Sequence, residues 1–152
     1  KRMARVDITL VPYKGVAQAL PAVMAGEVQL MFPTLPGSIA QIKAGRIRAI
    51  AVTSAKRSGS APDIPTVPER GVPGYEGSSW FAFLAPVATP KPIVMRLNAE
   101  ALRSLQRPDV RETLARVGMD PAGSTPAEAD AYLRAEIAKW TGVVKEAGIK
   151  AQ

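Results

Sequence analysis

The chain has 152 residues, 47% hydrophobic and 22% charged, a net charge of +7, and neither Cys nor His. That is enough apolar material for one domain with a core, or for interleaved parts of two. The missing residues exclude thiol nucleophiles, disulfides, imidazole bases and the usual zinc and iron ligands, so neither a metal nor a cofactor is expected.

The opening stretch, Lys1-Arg2-Met3-Ala4-Arg5, reads as a solvated basic end. No apolar segment stands behind it to act as a signal peptide, and no run in the chain approaches the ~18 residues that cross a bilayer. The sequence then passes at once into a strand pattern, Val6-Asp7-Ile8-Thr9-Leu10-Val11, as a piece cut from a longer protein would. Strand and helix signals alternate from there: Ile8 to Val11, Val16 to Ala25, Val28 to Phe32, Ser38 to Ala44 and Arg48 to Thr53. This βαβαβ order predicts a parallel sheet with right-handed crossovers. Gly26 and Gly45 stand just past the two helices, where a left-handed stop is wanted.

From Ala55 to Gly77 the composition turns to Lys, Arg, Ser, Gly and Pro, which predicts a surface excursion or an inter-domain crossing. It ends in Ser79-Trp80-Phe81-Ala82-Phe83-Leu84-Ala85, a continuous apolar run with the signature of a buried strand. Helices follow. Thr89-Pro90 opens one with an N-cap residue and a proline, and Ile93, Leu97, Ala101 and Leu105 give it one apolar face. A shorter helix covers Pro108 to Val117. The last begins at Thr125-Pro126-Ala127-Glu128, a capping box in which the Thr125 hydroxyl accepts from the Glu128 amide and the Glu128 carboxylate accepts from the Thr125 amide. Ala129, Leu133, Trp140 and Val144 then line one face, with Ile137 beside them, to a stop near Gly148.

The charge is unevenly placed. Residues 1–57 hold nine Lys or Arg against Asp7 and Glu27, whereas residues 58–152 hold eleven of each sign. A basic region of this kind attracts a small anion, an anionic surface or nucleic acid, although an aromatic content of 5% offers few platforms for stacking bases. An enzyme is disfavoured: Ser78, Ser79 and Ser104 have no His to activate them, and no Asp or Glu pair has a spacing suited to acid–base work. A basic nucleic-acid-binding module stays open as the alternative to an acid-binding one, and steep salt dependence would mark it.

A set of short stretches, in order, resembles the carboxyl-terminal half of the Bug-type receptors of tripartite tricarboxylate transporters. They include Val11-Pro12-Tyr13-Lys14-Gly15, Ile42-Lys43-Ala44-Gly45, Ala49 to Arg57, Asp63-Ile64-Pro65-Thr66-Val67, Ser79-Trp80-Phe81, Leu84-Ala85-Pro86, Leu97-Asn98-Ala99-Glu100 and Glu136-Ile137-Ala138-Lys139-Trp140. The resemblance implies an α/β, type II periplasmic-binding-protein fold: two lobes joined by crossing strands, with a ligand in the cleft. Residues 1–78 then supply the later part of lobe two, and residues 79–152 the returning part of lobe one. A periplasmic receptor for a small carboxylate is implied, with membrane transporter subunits as partners.

Such receptors hold a carboxylate on backbone amides at helix starts, where free N–H groups and the helix dipole favour an anion. Two turns have that form. In Tyr13-Lys14-Gly15 before Val16, Gly15 permits close backbone approach and Tyr13 offers a hydroxyl. In Phe32-Pro33-Thr34-Leu35-Pro36, Thr34 can donate to an oxygen. The ordinary readings stand beside these: Tyr13 as an amphipathic strand-end residue, Lys14 as a solvated charge, Thr34 as a turn residue, and Trp80 and Phe81 as core of a hinge strand. Three positions depart from the family pattern. Val16 stands where a small hydroxyl residue is common and Pro33 where an acidic residue or glycine is common, while Pro21 falls inside the first helix and should kink it. If Gly15 serves only ligand approach, Gly15→Val should abolish acid binding and spare the melt. Finally, neither half-lobe can bury its apolar face alone, so unpaired strand edges are expected, covered by the amino-terminal half of the receptor or by a swapped copy of the same chain.

Overall fold

The computed structural model describes residues 3–148. Lys1 and Arg2 of the basic end lie outside the described residues. Among the described residues the helices are α1 (Val16–Met24), α2 (Leu35–Lys43), α3 (Lys91–Gln106), α4 (Pro108–Arg116) and α5 (Pro126–Ala147), with a 3-10 turn at Pro68–Arg70. None is long and apolar enough to cross a membrane among the described residues.

The helix signals hold with small shifts. α2 starts three residues before the expected Ser38, because Pro36 is the second residue of its first turn rather than part of the preceding loop; a proline costs nothing there, since that N–H has no intrahelical acceptor. α3 is capped at Pro90 rather than Thr89. Pro21 does not end α1, which runs on to Met24, and Ala25 N–H still closes onto the Pro21 carbonyl at 2.8 Å. The α5 box is present in both directions: Glu128 N–H donates to Thr125 Oγ1 at 3.2 Å and Thr125 N–H to Glu128 Oε2 at 2.8 Å.

The strand signals fare differently. Residues 8–11, 28–32 and 79–85, read as strands, form no strand among the described residues; Val28 and Gln29 lie in the bend that follows α1, and residues 79–85 are exposed rather than buried. The pairing found is one isolated parallel bridge, Val52 with Thr66. Its hydrogen bonds run from Val52 N–H to the Pro65 carbonyl (2.8 Å) and from Val67 N–H to the Val52 carbonyl (2.9 Å). Parallel strands are stable where both faces are covered. Here two nine-residue helices offer little cover, and Leu10, Phe32 and Ile50 stay exposed.

The same shortfall is seen in burial. The buried apolar residues among those described are Ala22, Ile39 and Ala61, all small or medium. Phe83 is 97% exposed and Val87 105%. The expectation that these residues do not close a core alone is met.

The chain divides into two compact units, residues 1–82 with 108–121, and residues 83–107 with 122–152. In the first, α1 packs on α2. The excursion after residue 54 is pinned at two places. Glu69 accepts from Thr66 N–H (2.6 Å) and from Arg57 Nε (3.1 Å), which fixes the 3-10 turn. Asp120 accepts from the buried Ser58 hydroxyl (2.7 Å) and from Ser60 N–H (3.2 Å), which ties the end of α4 into this unit. In the second unit α3 packs on α5, and Asn98 Nδ2 donates to the Ser124 carbonyl at 2.8 Å just before the α5 cap.

Candidate functional site

The two turns singled out in the sequence lie at the starts of α1 and α2, and packing brings those starts together. The junction is Gly37, in the first turn of α2. A Cβ placed there would lie 3.0 Å from Val16 Cγ1 and 3.3 Å from Thr34 Oγ1. Val16 and Thr34, 18 residues apart in sequence, therefore flank one point.

Neither start is closed by a side chain. Gly15 caps α1 and has none to offer, and the Thr34 hydroxyl, although placed at the N-cap of α2, makes no cap hydrogen bond. The Gly15 carbonyl accepts from Gln18 and Ala19 N–H, each at 3.1 Å. Helix geometry leaves the Val16 and Ala17 N–H groups without an intrahelical acceptor. In α2 the Leu35 N–H is similarly placed, Pro36 has no N–H, and Gly37 N–H donates to the Thr34 carbonyl at 3.0 Å. What converges is a small set of donors with the positive ends of two helix dipoles behind them, which is chemistry suited to an anion's oxygens.

Around these donors, Tyr13, Lys14 and Gly15 are exposed, and Val16, Pro33 and Thr34 are half-buried. Lys14 N–H donates to Gln18 Oε1 at 3.3 Å, so the third residue of α1 holds the preceding turn. Ser38, fully buried, donates to the Thr34 and Leu35 carbonyls at 3.2 and 3.4 Å and stiffens the other turn. Gly118, buried after α4, lies against Leu35, where a Cβ would come within 3.1 Å of Leu35 Cγ. The sequence singles out neither Gln18 nor Gly37, and it marks Ser38 and Gly118 only as a helix start and a helix stop. Gln18 carried a readable sign, a Gln at the third helical position, which is where a capping-box partner stands.

Gly15 needs a different account from the one its sequence context suggested. Its φ of 152° and ψ of 177° lie in a region that only glycine occupies readily, while the space where a Cβ would point is open. Backbone conformation requires the glycine, whatever approaches it.

The chain is similar to proteins already known. The chain matches the family described as the tripartite tricarboxylate transporter family receptor over residues 1–149. Protein BugT of Bordetella pertussis is 36% identical over 143 residues, 94% of this chain and 44% of its own length. A Rhodopseudomonas palustris protein solved with adipate superposes with a TM-score of 0.83 at 42% identity, over 96% of this chain and 49% of that one. The periplasmic binding protein BugD superposes at 0.78 with 32% identity, over 97% of this chain and 50% of its own. The α/β periplasmic-binding-protein fold expected from the sequence is thus the right one, and the chain spans about half the length of the relatives it matches.

Proposed function

Because the chain belongs to the tripartite tricarboxylate transporter receptor family, we propose that it forms part of a periplasmic solute receptor that binds a small organic acid by its carboxylate. The observation that carries this reading is the meeting of two uncapped helix starts at Gly37. In it the backbone N–H groups at Gly15 and Val16 receive one carboxylate oxygen, and the Thr34 hydroxyl donates to the other. Tyr13 adds a second hydroxyl, Lys14 adds long-range attraction for the anion, and Pro33 shapes the turn that presents Thr34. The ligand is bound and released unchanged, with no catalysis and no cofactor, and is passed to the membrane subunits of a transporter.

Residues 1–78 are assigned to the later part of one lobe and residues 79–152 to the returning part of the other, except that residues 108–121 share a compact unit with the former. The uncovered apolar surface supports a companion assignment. The apolar side chains left exposed within each unit, Leu10 and Phe32 in the first and Phe83 and Leu84 in the second, are to be covered by further receptor polypeptide or by a swapped copy of this chain. The relatives' additional length supports the first of these.

The test is a calorimetric titration of the receptor that carries this chain, with adipate and with its dimethyl ester. The expected result is binding of the diacid and none of the ester, weakened only modestly by salt. Equal binding of both, or of neither, overturns the assignment.

A further inference from the structure

The junction between the two helix starts is made by the lack of a side chain. Gly37 does not take a positive φ, so its backbone would accept any residue. The space would not: a Cβ at 3.0 Å from Val16 Cγ1 is well inside the ~3.5–4.0 Å at which carbon atoms pack best. Val16 cannot easily give way, because a β-branched side chain in a helix has one strongly preferred rotamer. Thr34 Oγ1, at 3.3 Å from the same point, is the other wall.

We propose that Gly37 and Val16 act as a pair of positioning residues for the acid. Their contact sets the separation between the N–H donors at the start of α1 and the Thr34 hydroxyl and Leu35 N–H at the start of α2. The γ-methyl of Val16 occupies the space that a side chain at Gly37 would need. The inference rests on the acid-receptor reading and adds what determines the fit of that site.

The experiment is a thermodynamic cycle in the receptor that carries this chain, with adipate as the probe. Gly37→Ala pushes the two starts apart by a few tenths of an ångström, and the expected loss of affinity is about tenfold. Val16→Ala combined with Gly37→Ala removes the methyl that the new Cβ meets, and affinity should return to within about threefold of the unaltered protein. A purely structural role would move the melting temperature. The signature of positioning is a change in affinity, reversed by the second substitution, at a melt held within about 3 °C. If Gly37→Ala does not fold, Val16→Ile, which adds one methyl to the same contact, is titrated in its place.

An unaltered receptor that binds adipate while the crowded variant binds it equally well overturns the inference and leaves the acid-receptor reading standing. So does a double variant no tighter than Gly37→Ala. An unaltered receptor that binds no dicarboxylate overturns the reading and the inference with it.

Discussion

The start of α5 and the starts of α1 and α2 are built from the same backbone and finished in opposite ways. At α5 the Thr125 hydroxyl and the Glu128 carboxylate close the first turn on each other with bonds of 2.8 and 3.2 Å. At α1 the capping residue is Gly15, and at α2 the Thr34 hydroxyl makes no cap bond. A helix start that supplies its own anion has little left for a ligand. One left open, beside a second open start, keeps its donors and its dipole available. The contrast separates a start closed by its own residues from two that are left open.

The strongest way to break the contrast is at Gly15. Its φ of 152° and ψ of 177° mean that Gly15→Val strains the backbone by about 1–3 kcal/mol. The melt should fall by several degrees and adipate binding should be lost, whereas an unchanged melt would show that the α1 start relaxes to another conformation.

Thr34→Asp converts an open start into a closed one. The new carboxylate caps α2 and occupies the electrostatic niche of the ligand, so adipate affinity should drop about tenfold or more while the melt holds or rises. A variant that binds as before, by calorimetry, would place the acid elsewhere.

Thr125→Ala opens a closed start. It should cost about 1 kcal/mol of stability, seen as a melt lower by a few degrees, and leave adipate affinity untouched.

The smallest expected effect is that of pH. The Thr125 N–H, and then its hydroxyl, hold the Glu128 carboxyl below its ordinary value of 4.5. Glu69 is lowered in the same way by Thr66 N–H first and Arg57 next. A carboxyl depressed by folding adds stability above its unfolded pKa, and that stability is lost as pH falls through the folded value. The melt should therefore be flat from pH 7 to about pH 5 and decline below 4.5, with Glu128→Gln showing a shallower decline. Both groups are exposed, so a large difference between the variant and the unaltered protein would point to other carboxylates.

What the sequence makes legible follows from range. The α5 cap is written in four consecutive residues and could be read whole. The start of α2 was read three residues late because Pro36 carries the same sign for a loop and for a first helical turn. The Val16–Gly37 contact spans 21 positions and joins two helices, so no local pattern announces it. The segment 79–85 reads from its apolar run as a buried strand, but it is exposed and joins no ladder among the described residues, because a strand's burial and pairing are fixed by what packs beside it and not by its own composition. Gly15 was legible as necessary, yet the cause differs: sequence context suggested room for a ligand, and the backbone angle requires a glycine regardless.

The hydrogen bonds from Ser58 and Ser60 to Asp120 have a topological consequence. By holding residues 108–121 in the first unit, between stretches that belong to the second, they make the polypeptide pass from one unit to the other three times, after residues 82, 107 and 121. A single protease nick anywhere in residues 3–148 cannot release either unit intact, and no simple truncation isolates one for expression. Limited digestion should yield nicked material that stays together until denatured, and a genetically separable unit would have to be rejoined across its gap by a short linker.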